Sequence, residues 1–576
     1  MHPSRRRRAA LALALACALP ALAIAQEPMS ESDLLRTQVE MLQQNQDATV
    51  RGVGIASRLA LPTLYERRDF TPAWTERDAR EQLLRAIRES YHDGLDPEDY
   101  LLTPLEAARA EAEAPGASLE TQIDYDLLLT DALARLLYHL IFGKVDPNSF
   151  DPHWNFTREV NDLDPARFLQ DVIDSGELYA RVEAQKPSHR MYTALRAELA
   201  RLREVDAKGP LPQVGAGPTL ERGAHGARIA ALRASLEAQG DLTRQAQGDL
   251  ARDPAADPAA FDAALEAAVQ RFQARHGLDA DGRVGPATQR AIDTPQASRI
   301  LQVRINLERG RWLLHDLAPT FVVVNIAGFQ VYYIRDNDLV WSARAVVGKP
   351  YRETPVFRSE MTYLVLNPTW TVPPTILAQD MLPAQRKDPG YLARKGLEVI
   401  DARGAVVPMS SIDWAHATPK NFRYALRQAP GPDNALGRVK FMFPNSYSVY
   451  LHDTPSRSLF EKSERAASSG CIRIENPLEL ATLLLQDQPG WDRAAIDRTV
   501  AGGKTTTVKF AKPVPVMLSY WTAWVGRDGI PQFRQDVYGR DPKVAKALAE
   551  PFSIRHPLPS GVSSGPQSVS TTPVAR

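Results

Sequence analysis

One change of pattern constrains the fold of this 576-residue chain more than any other feature. Before about residue 296, apolar residues recur at intervals of three and four, which places them on one face of a helix. From Pro319 onward, runs rich in Val, Ile, Tyr and Thr follow, separated by Gly, Asn and Asp. The chain is also too long for a single hydrophobic core. We therefore predict a multidomain α+β protein whose last domain is mostly β, curved into a sandwich or an open barrel.

Two helical units are predicted ahead of the strands. Residues 61–207 read as an all-α domain, with the clearest helical periodicity at Tyr125–Phe142. Residues 26–60 are predicted to be a leader with little core, because they contain a Gln- and Asn-rich run. After a Gly- and Pro-rich linker, residues 215–296 carry the pattern of three short helices.

The two ends of the chain are predicted to lie outside the folded domains. Residues 1–25 have the basic start, the apolar run and the small residues Ala23-Ile24-Ala25 of a cleaved signal peptide. We expect export to the periplasm, with an uncleaved inner-membrane anchor as the alternative. Residues 552–576 are rich in Ser, Pro and Thr and are predicted to be a disordered tail.

The predicted β domain, residues 318–543, is interrupted at about residues 375–430. This passage begins with a helix-like segment and continues as a long polar stretch. An insertion of that size between strands is usually a lid or a substrate-binding subdomain. We predict an inserted lid subdomain here.

Charge and motif content argue against several classes of partner. The chain has 69 basic and 69 acidic residues, so its net charge gives no support to a nucleic-acid partner. The histidines lack metal-ligand spacing, and no Gly-rich phosphate loop is present. We predict neither a metal nor a cofactor.

Cysteine usage indicates one reactive site. Of the two cysteines, Cys17 lies in the predicted signal peptide, so the exported chain would keep only Cys471. A lone thiol in an oxidising compartment is a liability that a structural role would rarely justify. A buried, inert cysteine is the alternative, but the preceding Ser468-Ser469-Gly470 favours a tight, accessible turn.

A histidine and a helix start flank this cysteine. His452 ends an apolar run about 19 residues earlier and can act as the base that activates a thiol. The backbone N–H groups of Ser469 and Gly470 are expected to form an oxyanion hole. Asn476 is predicted to cap the helix that begins at Pro477, whose positive end would favour the thiolate.

Further candidates would bind the substrate. Arg473 can pair with a substrate carboxylate or stabilise the thiolate, and a structural salt bridge is an equally weighted alternative. Trp370 and Tyr450 can line a cleft or, just as well, pack in a core. Asn434 and Lys440 are weaker candidates for substrate contact.

The second helical unit is similar to a known wall-binding module. The stretch Ala268–Thr288, AVQRFQARHGLDADGRVGPAT, resembles a peptidoglycan-binding domain of the three-helix type. The resemblance implies wall binding, although such domains can also survive as spacers. For Phe272, Leu278 and Gly282 we favour a purely structural role.

The cysteine site resembles a second family more specifically. His452 followed by Ser468-Ser469-Gly470-Cys471-Ile472-Arg473 is similar to the YkuD-type L,D-transpeptidase signature, a histidine followed by S-x-G-C-[IV]-R. The stretches Asn367–Ile376, Pro430–Asn445 and Tyr538–Asp541 extend the resemblance to the large YcbB-type members. Those members carry a helical scaffold domain and a peptidoglycan-binding domain ahead of the catalytic domain.

This second resemblance implies a reaction without metal or cofactor. Cys471 would attack the diaminopimelate–D-alanine bond of a peptidoglycan stem tetrapeptide, and the amine of a second stem would resolve the thioester to a 3→3 cross-link. It also implies acylation by carbapenems. Stem peptides, and by extension other cell-wall synthesis proteins, are the expected partners.

Several acceptors of the thioester are compatible with the sequence. Water would make the protein an L,D-carboxypeptidase, a free D-amino acid an exchange enzyme, and a lipoprotein lysine an attachment enzyme. A non-catalytic wall-binding scaffold is the alternative of a different class.

One position departs from the family pattern. Many members carry a second histidine where this chain has Ser469. We therefore expect His452 to be held by a backbone carbonyl, most simply that of Asp453.

Overall fold

The computed structural model describes residues 29–45, 47–156, 163–242 and 257–553. The predicted signal peptide and residues 554–576 of the predicted tail lie outside these ranges. None of the helices within them has the length and apolar character that a membrane span requires.

The N-terminal region is helical, as predicted. The long helix α5 contacts α1–α4 and α6, and its apolar residues form the centre of one hydrophobic core, whereas the buried residues of α8 belong to the core of the C-terminal domain. Eight helices belong to the described part of this region: α1 Glu31–Gln44, α2 Ala60–Arg67, α3 Arg77–Glu89, α4 Leu102–Ala112, α5 Leu119–Phe142, α6 Pro165–Ile173, α7 Leu178–Glu183 and α8 Arg190–Asp206. A two-stranded hairpin, β1 Thr49–Val50 and β2 Val53–Gly54, lies between α1 and α2.

The prediction of a poorly packed leader at residues 26–60 is wrong. Ser30 caps α1 by accepting a hydrogen bond from the Asp33 amide. Leu35, Val39 and Leu42 recur along one face of α1 and are buried in the same core as α5. The Gln-rich composition misled the prediction, because the polar residues lie on the solvent side of an amphipathic helix.

The next unit has its own small core. Helices α9 Ala227–Gln239, α10 Ala263–Arg275 and α11 Pro286–Ile292 pack around Phe272, which is fully buried. Gly282 adopts a left-handed conformation (φ +75°), and its amide donates to Gln273 Oε1 at 2.9 Å. Helix α12 Gln296–Leu313 follows and packs against α8 of the N-terminal region.

The large C-terminal domain is mostly β, as predicted. Its main sheet has nine strands in the order β13-β5-β14-β12-β11-β6-β15-β3-β4, and a further pairing of β4 with β5 closes the sheet on itself. The strands of this sheet are β3 Phe321–Asn325, β4 Gln330–Arg335, β5 Asp338–Gly348, β6 Phe357–Leu366, β11 Val439–Met442, β12 Leu451–His452, β13 Ala466–Ser468, β14 Ile472–Ile474 and β15 Thr506–Ser519. Helices α16 Pro477–Leu485 and α17 Arg493–Ala501 connect β14 to β15, a β16–β17 hairpin (Ala523–Val525, Pro531–Phe533) follows, and α18 Asp541–Ala549 ends the domain.

An inserted subdomain lies between β6 and β11. It has a separate four-stranded sheet, in the order β7-β10-β8-β9, and a separate hydrophobic core that includes Leu392, Val399 and Leu426. Its elements are β7 Trp370–Thr371, α13 Pro374–Ile376, a π-helical turn Leu377–Met381, α14 Leu382–Lys387, α15 Tyr391–Arg394, β8 Leu397–Ile400, β9 Val406–Val407 and β10 Ala425–Gln428.

The first residue of the predicted tail is packed. The Phe552 ring lies with its centroid 4.6 Å from that of His139 and 6.4 Å from that of Tyr138, both on α5. The chain therefore returns to the N-terminal helical region after the β domain ends.

Candidate active site

Three neighbouring strands bring the predicted site residues together. In the β11–β12–β14 register, the Cα partners are Lys440, His452 and Arg473. Tyr450 and Cys471 each stand two residues before one of these partners, so all five side chains point to one side of the sheet. We call these five residues the polar face. The alternating residues Leu451 and Ile472 are fully buried in the core on the other side.

His452 is held by its own backbone. Its side chain is 4% exposed, and Nδ1 lies 2.5 Å from the carbonyl oxygen of Asp453. A carbonyl oxygen can only accept, so Nδ1 carries the proton and Nε2 keeps a lone pair. Burial, the charge of Arg473 and the charge of Lys440 lower the pKa of His452 to about 3. The imidazole is therefore neutral at physiological pH.

The Asp453 carboxylate fixes the segment that carries this carbonyl. It is 1% exposed, and Oδ2 accepts from the Arg438 amide at 2.8 Å while Oδ1 accepts from Arg457 at 2.5 Å. Gly437 has φ +60°, and a Cβ there would lie 2.4 Å from the carboxylate. The close approach of backbone to carboxylate requires glycine at this position.

Cys471 lies between the predicted turn and β14. Burial raises the pKa of its thiol, while hydrogen bonding from Tyr450 and the charges of Arg473 and Lys440 oppose that rise. Sγ is 3.8 Å from the carbonyl oxygen of Ser448. Among the hydrogen bonds of the described residues, none joins Sγ to His452. The two groups thus share one face as a neutral thiol and a neutral imidazole, and must approach further for proton transfer.

The turn before Cys471 differs from the expected oxyanion hole. Gly470 has φ +112°, and its amide donates to Ser468 Oγ at 3.1 Å. Ser468 Oγ in turn donates to the carbonyl of Cys471 at 2.6 Å. The Gly470 amide is therefore already engaged. In the described structure, no hydrogen bond occupies the amides of Ser469 and Cys471, which leaves these two N–H groups for an oxyanion.

Arg473 is a half-buried cation beside the thiol. Its Nε is buried without a hydrogen-bond partner, and no carboxylate within the described residues forms an ion pair with it. Burial lowers the pKa of its guanidinium. The predicted alternative of a structural salt bridge is therefore wrong within the described residues, and the half-buried guanidinium is left to bind an anionic ligand.

Two predicted substrate contacts are not brought to this face. Asn434 is 1% exposed, donates to the carbonyls of Pro368 and Ala429, and accepts from the Leu436 amide at 2.8 Å. All its bonds go to backbone, so the prediction that it binds substrate is wrong. Trp370 pairs with Gln428 in the small sheet and packs against the core of the inserted subdomain.

The predicted helix cap is also wrong. Asn476 is left-handed (φ +49°, ψ +46°), and its side chain makes no capping hydrogen bond to α16. Five residues separate Cys471 from the helix start, and the three that form strand β14 alone span about 10 Å of extended chain. A helix dipole acts mainly within its first turn, so α16 adds little at the thiol.

Sequence reasoning overlooked two residues that shape the turn. The Ser468 hydroxyl joins the Gly470 amide to the Cys471 carbonyl within the turn. Its position at the start of the S-x-G-C pattern could have indicated this role. Arg352 reaches Ser469 Oγ at 2.9 Å from a loop 117 residues earlier. No local pattern could reveal a contact across that distance.

Comparisons with known proteins agree with this geometry. Residues 319–509 match the model of the L,D-transpeptidase catalytic domain, YkuD. Residues 60–199 match a scaffold domain, and residues 225–292 match a family described as "Putative peptidoglycan binding domain".

Individual relatives cover less of the chain. A protein of Haemophilus influenzae described as "Putative L,D-transpeptidase" is 38% identical over 257 residues, 44% of this chain and 51% of that protein. The chain thus spans about half the length of the curated relative that it matches.

Solved structures of two L,D-transpeptidases, from Mycobacterium smegmatis and Xylanimonas cellulosilytica, are each 15% identical. They cover 35% and 53% of this chain and 59% and 99% of their own, with TM-scores of 0.17 and 0.18. TM-scores this low support no statement about the site.

Proposed function

We propose that this chain, in which residues 319–509 match the L,D-transpeptidase catalytic domain behind matches to a scaffold domain and a peptidoglycan-binding domain, is a cysteine transpeptidase of peptidoglycan. Its substrate would be a stem tetrapeptide, and its product a 3→3 cross-link. The observation that carries the proposal is the polar face, which unites a thiol, a neutral histidine and an unpaired arginine.

In the proposed first half-reaction, Cys471 Sγ attacks the carbonyl carbon between diaminopimelate and D-alanine. The thiol proton passes to His452 Nε2, and the Asp453 carbonyl stabilises the resulting imidazolium by accepting from Nδ1–H. The carbonyl oxygen becomes an oxyanion, which the amides of Ser469 and Cys471 are free to bind. His452 then gives its proton to the departing D-alanine nitrogen, which leaves a thioester.

In the second half-reaction, the side-chain amine of a second stem attacks the thioester carbon. His452 accepts a proton from this amine and returns it to the sulfur as the carbon–sulfur bond breaks. The new amide is the cross-link, and Cys471 is again a neutral thiol.

Arg473 is proposed to bind a substrate carboxylate. Each stem peptide offers free carboxylates close to the scissile bond, and a half-buried guanidinium without an ion-pair partner among the described residues is matched by such a group. Tyr450 is proposed to act at the sulfur, because its hydrogen bonding opposes the rise that burial causes in the pKa of Cys471.

We further propose that the protein acts outside the cytoplasm, where its substrate lies, after export by the signal peptide predicted at residues 1–25. The small helical unit would keep it at the wall. The inserted subdomain would act as a lid over the polar face.

The proposal is tested with the full-length mature protein and a carbapenem, followed by intact-mass spectrometry. We expect one covalent adduct on the wild-type protein and none on Cys471→Ala. A Ser448→Ala variant, altered beside the thiol but not in the reacting groups, serves as the matched control and should still form the adduct. A wild-type protein without an adduct would refute the enzyme assignment.

The acceptor is tested by incubating the protein with tetrapeptide-rich sacculi and analysing the muropeptides. We expect 3→3 dimers that depend on Cys471. Tripeptides without dimers would instead identify an L,D-carboxypeptidase.

A further inference from the structure

The turn that carries the nucleophile is joined to the inserted subdomain through one arginine. Arg352 lies in the loop between β5 and β6, and its Nη1 donates to Ser469 Oγ at 2.9 Å. The same guanidinium makes a bidentate pair with Asp380, at 2.6 and 2.9 Å, and Nη2 donates to Gln379 Oε1 at 2.7 Å. One side chain therefore contacts the residue two positions before Cys471 and two residues of the subdomain.

The subdomain residues in this contact lie in an irregular element. Gln379 and Asp380 belong to the π-helical turn Leu377–Met381, between α13 and α14. Single π turns within helices are rare and occur frequently at functional sites. This turn presents an amide oxygen and a carboxylate side by side toward Arg352.

The loop that carries Arg352 also forms hydrogen bonds with backbone carbonyls of the turn. The Lys349 amide donates to the Ser468 carbonyl at 3.0 Å, and Thr354 Oγ1 donates to the Gly470 carbonyl at 2.8 Å. Tyr538 fixes this loop, since its hydroxyl donates to the Gly348 carbonyl at 2.6 Å and accepts from the Thr354 amide. A shift of the loop is therefore passed on to the turn at three successive residues.

We propose that Arg352 is a positioning residue for the nucleophile turn, and that it makes the placement of Ser469 and Cys471 depend on the position of the inserted subdomain. The proposal deepens the proposed function and rests on it. Ser469 stands where many family members carry a second histidine, and in this chain its hydroxyl is oriented by a cation anchored in the subdomain. A donor peptide that moves the subdomain would thereby change the reactivity of the thiol.

The test is a double-mutant cycle on the full-length mature protein, with Arg352→Met, Asp380→Asn and the double variant. Two rates are measured: acylation of Cys471 by a carbapenem and its alkylation by iodoacetamide, both by intact mass. Misplacement of the turn should slow acylation about tenfold in each single variant. The double variant should be no slower than the singles, because both changes break one link.

Matched variants separate positioning from general stability. Asp380→Glu keeps the charge and should restore acylation to near the wild-type rate. Asp388→Asn removes the ion pair with Arg394 inside the same subdomain and should leave both rates unchanged. Asp380 is 41% exposed, so its ion pair contributes little to the melting temperature.

The outcomes distinguish this inference from the proposed function. Additive effects, or wild-type rates in Asp380→Asn, would refute the role of Arg352 while wild-type acylation still supports the enzyme. If the wild type is not acylated, the proposed function fails. The positioning role of Arg352 is then decided by the rate of Cys471 alkylation. This rate should change by the same factor in both single variants and in the double variant.

Discussion

His452 shows how burial sets the working range of a single residue. Its pKa of about 3 results first from burial and then from the charges of Arg473 and Lys440. A base is active only when it is unprotonated, so the rate of Cys471 acylation should fall only as the pH approaches about 3 to 4. An ordinary histidine would lose activity already below about pH 6.5.

This prediction is checked by measuring carbapenem acylation rates from about pH 2.5 to 8 by rapid quench and intact mass. We expect a nearly flat profile between about pH 5 and 7. In Lys440→Met, one charge that lowers the pKa of His452 is gone, so the acid limb should move to higher pH. A wild-type limb near pH 6.5 would contradict the description of His452 as a buried, neutral base.

Asn434 allows a second test. The sequence predicts that it binds substrate, whereas the structure shows it hydrogen-bonded to backbone groups. In Asn434→Ala the carbonyls of Pro368 and Ala429 lose their donor, and the Leu436 amide loses its acceptor. Buried polar groups left unpaired cost about 1–3 kcal/mol, so the melting temperature should fall by several degrees. The KM for a tetrapeptide donor should stay within about twofold, and a raised KM with an unchanged melting temperature would restore the substrate role.

Site residues whose partners are close in sequence could be predicted, and those whose contacts depend on distant residues or on side-chain orientation could not. Cys471, His452 and Arg473 could be predicted because a strand, a turn and a further strand follow each other within a short stretch. The occupied amide of Gly470 could not, since it depends on which way the Ser468 hydroxyl points.

At the scale of elements, the junction of β14 and α16 was the least well predicted. Asn after a strand and before Pro reads as a helix cap, yet here the left-handed backbone of Asn476 turns the chain. Asn and Gly tolerate this conformation, whereas Ser costs about 1 kcal/mol or more there. Asn476→Gly should therefore keep the free energy of unfolding, while Asn476→Ser should lower it.

Denaturant unfolding of the two variants checks this prediction. Ser is as good as Asn at a helix N-cap, so a fully stable Asn476→Ser would show that the capping interpretation was right.

The order of helical and β regions followed from hydrophobic spacing, but α1 shows where composition fails. Its polar residues suggested a loose leader, whereas the spacing of Leu35, Val39 and Leu42 matched a buried helical face. The spacing of apolar residues indicates which side chains point to the same face of a helix. Amino-acid composition carries no such information. The closure of the main sheet by β4 and β5 also depends on long-range pairing that no local pattern encodes.

At the scale of the whole molecule, a buried histidine lies where the small helical unit meets the β domain. The His276 ring stacks on Phe272 and on Phe533 of β17, at centroid distances of 3.8 and 5.4 Å. Burial and the charges of Arg275, Arg299 and Arg534 hold its pKa well below 6.5. As the pH falls below about 6.5, the unfolded chain binds a proton that the folded one refuses, so stability decreases by up to about 1.4 kcal/mol per pH unit.

The prediction is that the melting temperature falls between pH 7 and 5 and falls less steeply in His276→Gln. The matched control is His92→Gln, an exposed histidine, which should show the wild-type slope. Equal slopes in all three proteins would remove His276 as a source of acid sensitivity.

The return of the chain to the N-terminal helical region has a mechanical consequence. Arg311 of α12 donates to the carbonyl of Asp93, which follows α3, before the β domain begins, and Phe552 packs on α5 after it ends. The β domain is thus attached at both its entry and its exit to the N-terminal helical region, so it cannot swivel about a single flexible joint. Under the proposed function, the whole molecule must therefore reorient to reach stems at different angles on a rigid wall, or the wall strand must bend toward it.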